Sequence, residues 1–275
     1  MKFDMGAAWN EAVRLIAANR QVITIVAGVF FFLPSLAWAL VFAKRIAPIE
    51  AAQVGNPDPS ETFSAMVSVF SDLWWLMLLT TVIQWLGVLG MLVLLSDRGR
   101  PTVGEALGTG AKLLLPYFGV QILMSCIFGI VLLFPFAAGA SAGAGAAVLT
   151  GVAAAVVLAF LFTKFLLVSP IMAAERAGNP VAVIGRSWTL AKGNSLRLFA
   201  FVFLIAVAFI VVTTVASLIA GLVFALAGDQ VAEVGDAIVS SLVGAAFMVV
   251  FVAVLAAIYR QLAGTSAETV RETFD

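Results

Sequence analysis

Along the chain, long unbroken apolar runs alternate with short charged connectors. The runs fall at about residues 22–43, 73–95, 116–137, 147–169, 199–226 and 238–259. Each has the length, about twenty residues, that a hydrocarbon core of roughly 30 Å demands of a helix. A β-barrel would show shorter segments alternating between apolar and polar positions. These runs are continuous, so they predict six membrane-spanning helices. The first, "QVITIVAGVFFFLPSLAWALVFA", is longer than a signal-peptide core of roughly 7–15 residues and reads as a retained span. "AAGASAGAGAA" joins the third and fourth runs, has no charge and predicts a tight hairpin. The fifth run, from Leu198 to Ala227, exceeds the minimum span and must tilt or protrude.

Three of the connectors carry a helical period of their own. Residues 5–19 place Met5, Trp9, Ala12, Val13 and Ile16 on one face, with Asn10, Glu11 and Arg14 opposite. Residues 102–115 open with Thr102 and Glu105 in capping-box spacing. They gather Val103, Ala106, Leu107, Gly110 and Leu114 against Glu105, Thr109 and Lys112. Residues 179–194 begin with Asn179 as N-cap and Pro180 in the first turn, and stop at Gly193-Asn194. Val181, Val183, Ile184, Trp188, Leu190 and Ala191 share one half of that helix, and Arg186, Thr189 and Lys192 the other.

Each amphipathic connector precedes a pair of spans, and "EAVRLIAANR", "EALGTGAKLL" and "RSWTLAKGNS" can be laid over one another. The pattern predicts one all-α integral membrane domain over residues 1–275. It would have six transmembrane helices, three cytoplasmic interfacial amphipathic helices and a threefold repeat, with repeat-like units at about 1–97, 98–170 and 171–275.

Composition strengthens the membrane reading. The chain is 63% hydrophobic and 11% charged, against about 25% charged in soluble domains. Its net charge of zero argues against nucleic-acid binding. The placement of charge is more informative than its sum. Lys2, Arg14, Arg20, Arg98, Arg100, Lys112, Lys164, Arg176, Arg186, Lys192, Arg197, Arg260 and Arg271 fall on one side of the six runs. Only Lys44 and Arg45 fall on the other, with Glu50, Asp58, Glu61, Asp72, Asp229, Glu233 and Asp236. The positive-inside rule therefore puts both termini in the cytoplasm.

Small residues at Gly139, Gly143, Ala147, Gly151, Ala155 and Ala159 recur every four residues, a stripe expected to face another helix. Gly87, Gly90 and Pro135 predict close approach or bending. Gln84 is expected to hydrogen-bond across helices. Thr213, Thr214 and Ser217 are expected to bond their own backbone carbonyls, and Lys164 to snorkel from the end of its span.

Candidate chemistry is sparse. The chain has no histidine, which removes Ser-His-Asp and Cys-His catalysis and imidazole metal sites. Its single cysteine, Cys126, sits mid-span without a partner base. No Gly-rich phosphate loop occurs, and no Asp or Glu lies mid-span where proton-coupled transport would want one. Asp229, Glu233 and Asp236 share a helical face that a divalent cation could bridge, but the pattern reads first as an exposed acidic turn. No catalytic, cofactor-binding or metal-ligating residue is expected, and no cofactor. The candidates that remain are interfacial: Trp9, Arg14, Lys112, Arg186, Trp188, Lys192 and Arg197, facing anionic lipid headgroups or a membrane-protein partner.

The stretch "SPIMAAERAGNPVAVIGRSWTLAKGNSLRLFAFVFLI" resembles the membrane domain of some glycerophosphoryl diester phosphodiesterases and the related YciC-like bacterial inner-membrane proteins. The resemblance rests on Pro170 after a span and on Glu175, Arg176 and Gly178. It also rests on Ser187, Trp188, Leu190, Lys192, Gly193 and Asn194, and on Tyr259 and Arg260 closing the last span. It implies the membrane part alone, because the hydrolase of full-length members is a separate soluble barrel that needs histidines. A non-enzymatic bacterial inner-membrane protein in envelope or lipid homeostasis is the expectation. The alternative is a transporter or lipid-translocating protein with a cavity between repeats.

Overall fold

Two prolines mark where the helical hydrogen-bond ladder of the apolar runs changes. In a computed structural model, which describes residues 2–52, 59–96, 101–224 and 228–274, Arg20–Ala27 (α2) passes through a π turn at Gly28–Phe32 into Leu33–Ala52 (α3). Pro34 has no N–H to offer the carbonyl four residues back. The ladder adjusts just before it, and Leu33 N–H bonds the Gly28 carbonyl, five residues back. Pro170 has a sharper effect. Its ring opposes the carbonyl of Leu166, and the helix stops there, so that Ala144–Phe165 (α6) and Val168–Glu175 (α7) are separate.

The other helices are Met5–Ala18 (α1), Pro59–Ser96 (α4), Val103–Ala142 (α5), Pro180–Leu190 (α8), Ser195–Phe224 (α9) and Asp229–Phe274 (α10). No strand forms among the described residues. Six helical stretches are long and apolar enough to cross a membrane: Arg20–Ile46, Phe63–Ser96, Val103–Ala142, Ala144–Glu175, Ser195–Phe224 and Val231–Gly264. They coincide in order with the six apolar runs. Residues 225–227 at the end of the fifth run lie outside the described residues. So do Asp58, Arg98 and Arg100, and the side chains of Glu50, Glu61, Asp229 and Arg271.

Two of the three expected amphipathic connectors form helices of their own. Asp4 accepts a hydrogen bond from Ala7 N–H at 2.9 Å and opens α1. The Asn179 side chain accepts from Val181 and Ala182 N–H at 3.1 and 3.3 Å and opens α8. The third is different. Its capping box is in place, with Glu105 N–H donating to Thr102 Oγ1 and Thr102 N–H to the Glu105 carboxylate. The helix then runs straight on through Pro116 as α5, 40 residues in all. Pro116 removes one backbone donor without ending the helix, as transmembrane helices tolerate where neighbours compensate. The neighbouring chain packs close by: a Cβ added at Gly119 would lie 3.4 Å from Pro180 Cγ, and one at Gly178 would lie 3.9 Å from Pro116.

The hairpin of α5 and α6 is as tight as its sequence suggests, with Gly143 alone between them at φ +82. Only a residue without a Cβ sits there unstrained.

The chain divides into two compact units. The first comprises Met1–Ala18, Val88–Ile205 and Val252–Asp275; the second, Asn19–Gly87 and Ala206–Phe251. In the first unit Leu89, Met91, Leu92 and Leu95 of α4, and Val252 to Ile258 of α10, are buried on every side. Helices apolar all round belong in such central positions. Leu167, Ile171 and Met172 of α7 join that core. In the second unit Val26, Phe31 and Leu73 are buried, and Phe209 stacks on Phe247 at 3.9 Å.

Glycine and polar positions meet the sequence expectations unevenly. A Cβ at Gly87 would stand 2.5 Å from Phe30 Cβ, and one at Gly90 would stand 2.7 Å from Leu107 Cδ2, so both mark close approach. Gln84 donates to Ser35 Oγ at 3.2 Å, the expected cross-helix bond. The four-residue stripe holds only at its start, where Gly139 would bring a Cβ within 3.1 Å of Ala147. Further on, a Cβ at Gly151 meets nothing within 4 Å and Ala155 is exposed. A repeat of four drifts around a helix of 3.6 residues per turn, so the stripe turns away from α5. The Thr213 hydroxyl is buried without a hydrogen-bond partner among the described residues, contrary to expectation.

Candidate membrane-interface site

The basic connectors converge in the first unit. Arg260, near the end of the last candidate span, donates to Glu11 of α1 at 2.7 Å and to the Leu95 carbonyl at the end of α4, also at 2.7 Å. Leu95 is in the last turn of its helix, where carbonyls lack a helical partner, so the guanidinium satisfies two acceptors at once. Glu11 also holds Arg14 of its own helix. The Phe3 N–H donates to Asn194 Oδ1 at 2.8 Å, and the rings of Phe3 and Phe201 are 5.7 Å apart. Glu175 at the end of α7 accepts from Arg186 Nε at 3.3 Å and Tyr259 Oη at 3.0 Å. Residues from α1, α4, α7, α8, α9 and α10 therefore share one polar face. These are segments that the count of cations had grouped on one side.

This geometry sorts the seven interfacial candidates. Arg14 and Arg186 are occupied by carboxylates. Lys112, Lys192 and Arg197 are exposed and have no ion-pair partner among the described residues. Trp9 and Trp188 are 43% and 40% exposed.

The faces that α1 and α8 bury do not coincide with the apolar faces read from the sequence, which are expected at the membrane interface and not inward. α1 buries Ala8, Ala12 and Leu15, leaving Trp9 and Val13 outside. Alanines let the helix approach closely, so they pack inward while the bulky side chains on the flank stay out. α8 buries Val183, Ser187 and Leu190, and Val181 is exposed. Ser187 is fully buried because its hydroxyl donates to the Lys164 carbonyl at 2.6 Å, in the last turn of α6. Pattern reading missed Ser187, although its spacing of four from Val183 and three from Leu190 puts it in the middle of the buried face.

Lys164 does not snorkel. Its side chain is 5% exposed, and its ammonium lies 5.4 Å from the centre of the Phe160 ring and 5.3 Å from that of Trp188. The indole is in turn packed edge-on to Phe160 and beside Phe165. Glu11 and Glu175 are taken by arginines and Tyr259, and Lys164 has no ion-pair partner among the described residues.

Away from this face, Arg45 and Asp72 of the second unit pair at 3.6 Å, both largely exposed. No group of three or more His, Cys, Asp and Glu residues suited to a metal occurs among the described residues.

No protein-family model, curated protein or solved structure matches the chain. The residues that carry the family resemblance nevertheless have identifiable work in the fold. Pro170 ends α6, Glu175 joins Arg186 to Tyr259, Ser187 holds α6, Asn194 holds the N-terminal segment, and Gly193 takes φ +80.

Proposed function

We propose that this is a non-enzymatic, multi-pass protein of the bacterial inner membrane that binds anionic headgroups through its basic face and serves envelope or membrane-lipid homeostasis. Both termini and the α7–α9 connector lie on the cytoplasmic side in this reading. One observation carries it: Arg14, Arg186 and Arg260 face carboxylates within the fold, while Lys112, Lys192 and Arg197 are exposed without an ion-pair partner among the described residues, and Trp9 and Trp188 are half-exposed. Indoles favour the headgroup region. A cation near an anionic surface contributes about 1 kcal/mol.

Replacing Lys112, Lys192 and Arg197 together by Gln is expected to lower the phosphatidylglycerol co-purified with the protein, relative to phosphatidylcholine, by about fivefold for each cation that engages lipid. Replacing Arg14 and Arg186 instead is expected to change that ratio much less, because a carboxylate already offsets each charge. Equal lipid ratios in the wild type and the triple variant would sink the headgroup reading and leave a protein partner as the occupant of this face.

A further inference from the structure

The α5–α6 hairpin leaves an open groove of about 260 Å³, lined by Val131 and Phe134 of α5 and by Thr150, Ala153, Ala154 and Val157 of α6. The groove is apolar in effect, because the Thr150 hydroxyl donates to the Ala146 carbonyl of its own helix at 2.7 Å. Thr150, Ala154, Val157 and Lys164 are separated by four, three and seven residues, a spacing that keeps them on one face of a helix. Val157 and Lys164 are therefore about 10 Å apart along the helix axis. Phe160 stands between them on that face, its ring beneath the ammonium.

The charge at the head of this face is incompletely balanced. Taking an ammonium out of water costs several kcal/mol, and two aromatic faces return about 0.5–2 kcal/mol each. No carboxylate pairs with Lys164 among the described residues. A second cation, Lys192, follows four residues beyond Trp188. Lys164 keeps a small exposed edge, 5% of its surface. A cation with a small exposed edge, a second cation four residues beyond Trp188 and an apolar groove on the same face of α6 match the two halves of a phospholipid.

We propose that Lys164 and Lys192 bind the phosphate of a single anionic glycerophospholipid whose acyl chain lies in the α5–α6 groove. This deepens the headgroup reading and rests on it, but it concerns one held molecule where that reading concerns the surrounding lipid. Binding is non-covalent, with the aromatic rings of Phe160 and Trp188 orienting the Lys164 ammonium toward the phosphate.

Native mass spectrometry of the full chain, purified with phosphatidylglycerol and phosphatidylcholine present in equal amounts, tests it. The wild type is expected to retain one phosphatidylglycerol in preference to phosphatidylcholine. Lys164→Met keeps the length of the side chain and removes the charge, and occupancy is expected to fall about fivefold. Lys164→Arg is expected to retain the lipid, which separates loss of charge from loss of fold. Ala153→Phe fills the groove and is expected to reduce occupancy with every cation in place. Excess inorganic phosphate is expected to leave the bound lipid in position, since phosphate cannot replace the acyl-chain contacts.

Wild-type occupancy in Lys164→Met would overturn the proposal. So would displacement of the lipid by inorganic phosphate together with unchanged occupancy in Ala153→Phe, which would assign the cations to free phosphate. The two readings fail differently. Loss of the single lipid in Lys164→Met with no effect on bulk lipid of a Lys112→Gln, Arg197→Gln double variant, which keeps Lys192, would remove the headgroup face and keep the crevice. The reverse would remove the crevice alone.

Discussion

Arg260→Ala is expected to lower the unfolding free energy by about 1–3 kcal/mol. The substitution strips two acceptors at once: Glu11, whose side chain is 20% exposed, and the Leu95 carbonyl at the end of α4. Arg260 itself is 36% exposed, so water screens part of the interaction and holds the effect below that of a fully buried pair. Arg260→Lys is not expected to restore stability, because a single ammonium cannot reproduce the divided reach of the guanidinium. Thermal unfolding in detergent, followed by the loss of folded protein, reads this directly. Melting points for Arg260→Ala and the wild type that agree within error would contradict the role assigned to Arg260 as the joint between α1, α4 and α10.

The second large effect is steric. Gly87→Ala is expected to destabilise the protein by about 1–3 kcal/mol, because the added Cβ would stand 2.5 Å from Phe30 Cβ. That neighbour is the first atom of its side chain and cannot rotate away, so the backbones of the π turn and α4 must separate. Gly151→Ala gives the opposite sign. Its Cβ meets nothing within 4 Å, and replacing helical Gly by Ala gains up to about 1 kcal/mol of helix propensity. The paired comparison, made in the same detergent, tests the packing without relying on an absolute stability. Destabilisation by Gly151→Ala equal to that by Gly87→Ala would mean that the small-residue stripe is packed after all.

The difference between Gly87 and Gly151 also shows what the letters disclose and what they hide. Six apolar runs, the Asn179-Pro180 start, the Thr102–Glu105 capping box and the Gly143 hairpin are legible because each depends on local chemistry: length in lipid, a side-chain cap, an allowed φ. The partner of Gln84 and the close approach at Gly87 follow from polarity and size within a span. Gly151 was misread because a four-residue spacing looks the same whether or not another helix is present. Pro116, Pro34 and Pro170 illustrate the same limit. One is passed over, one is absorbed by a π turn and one ends the helix, and the difference lies in how the freed carbonyl and neighbouring chain are accommodated.

The candidate site was legible as a set of cations on one side, but not as an arrangement. Nothing in the sequence distinguishes Arg186, held by Glu175, from Lys192, which is left exposed. That distinction depends on a carboxylate eleven residues away and a tyrosine 84 residues away from it, brought together by α7 and α10. Lys164 looked like a snorkelling residue near a span end. Its cover comes from Trp188, which reaches it only because Ser187 ties α8 to the last turn of α6.

Cysteine labelling in right-side-out membrane vesicles tests the topology on which the interfacial face depends. With Cys126 replaced by Ser, a single cysteine is introduced by Lys192→Cys, between α8 and α9, or by Gly145→Cys, beside the α5–α6 hairpin. A membrane-impermeant maleimide is expected to label the Gly145→Cys protein in sealed vesicles and the Lys192→Cys protein only after permeabilisation. Labelling of the Lys192→Cys protein in sealed vesicles would place the basic face outside and contradict the proposed function at its root.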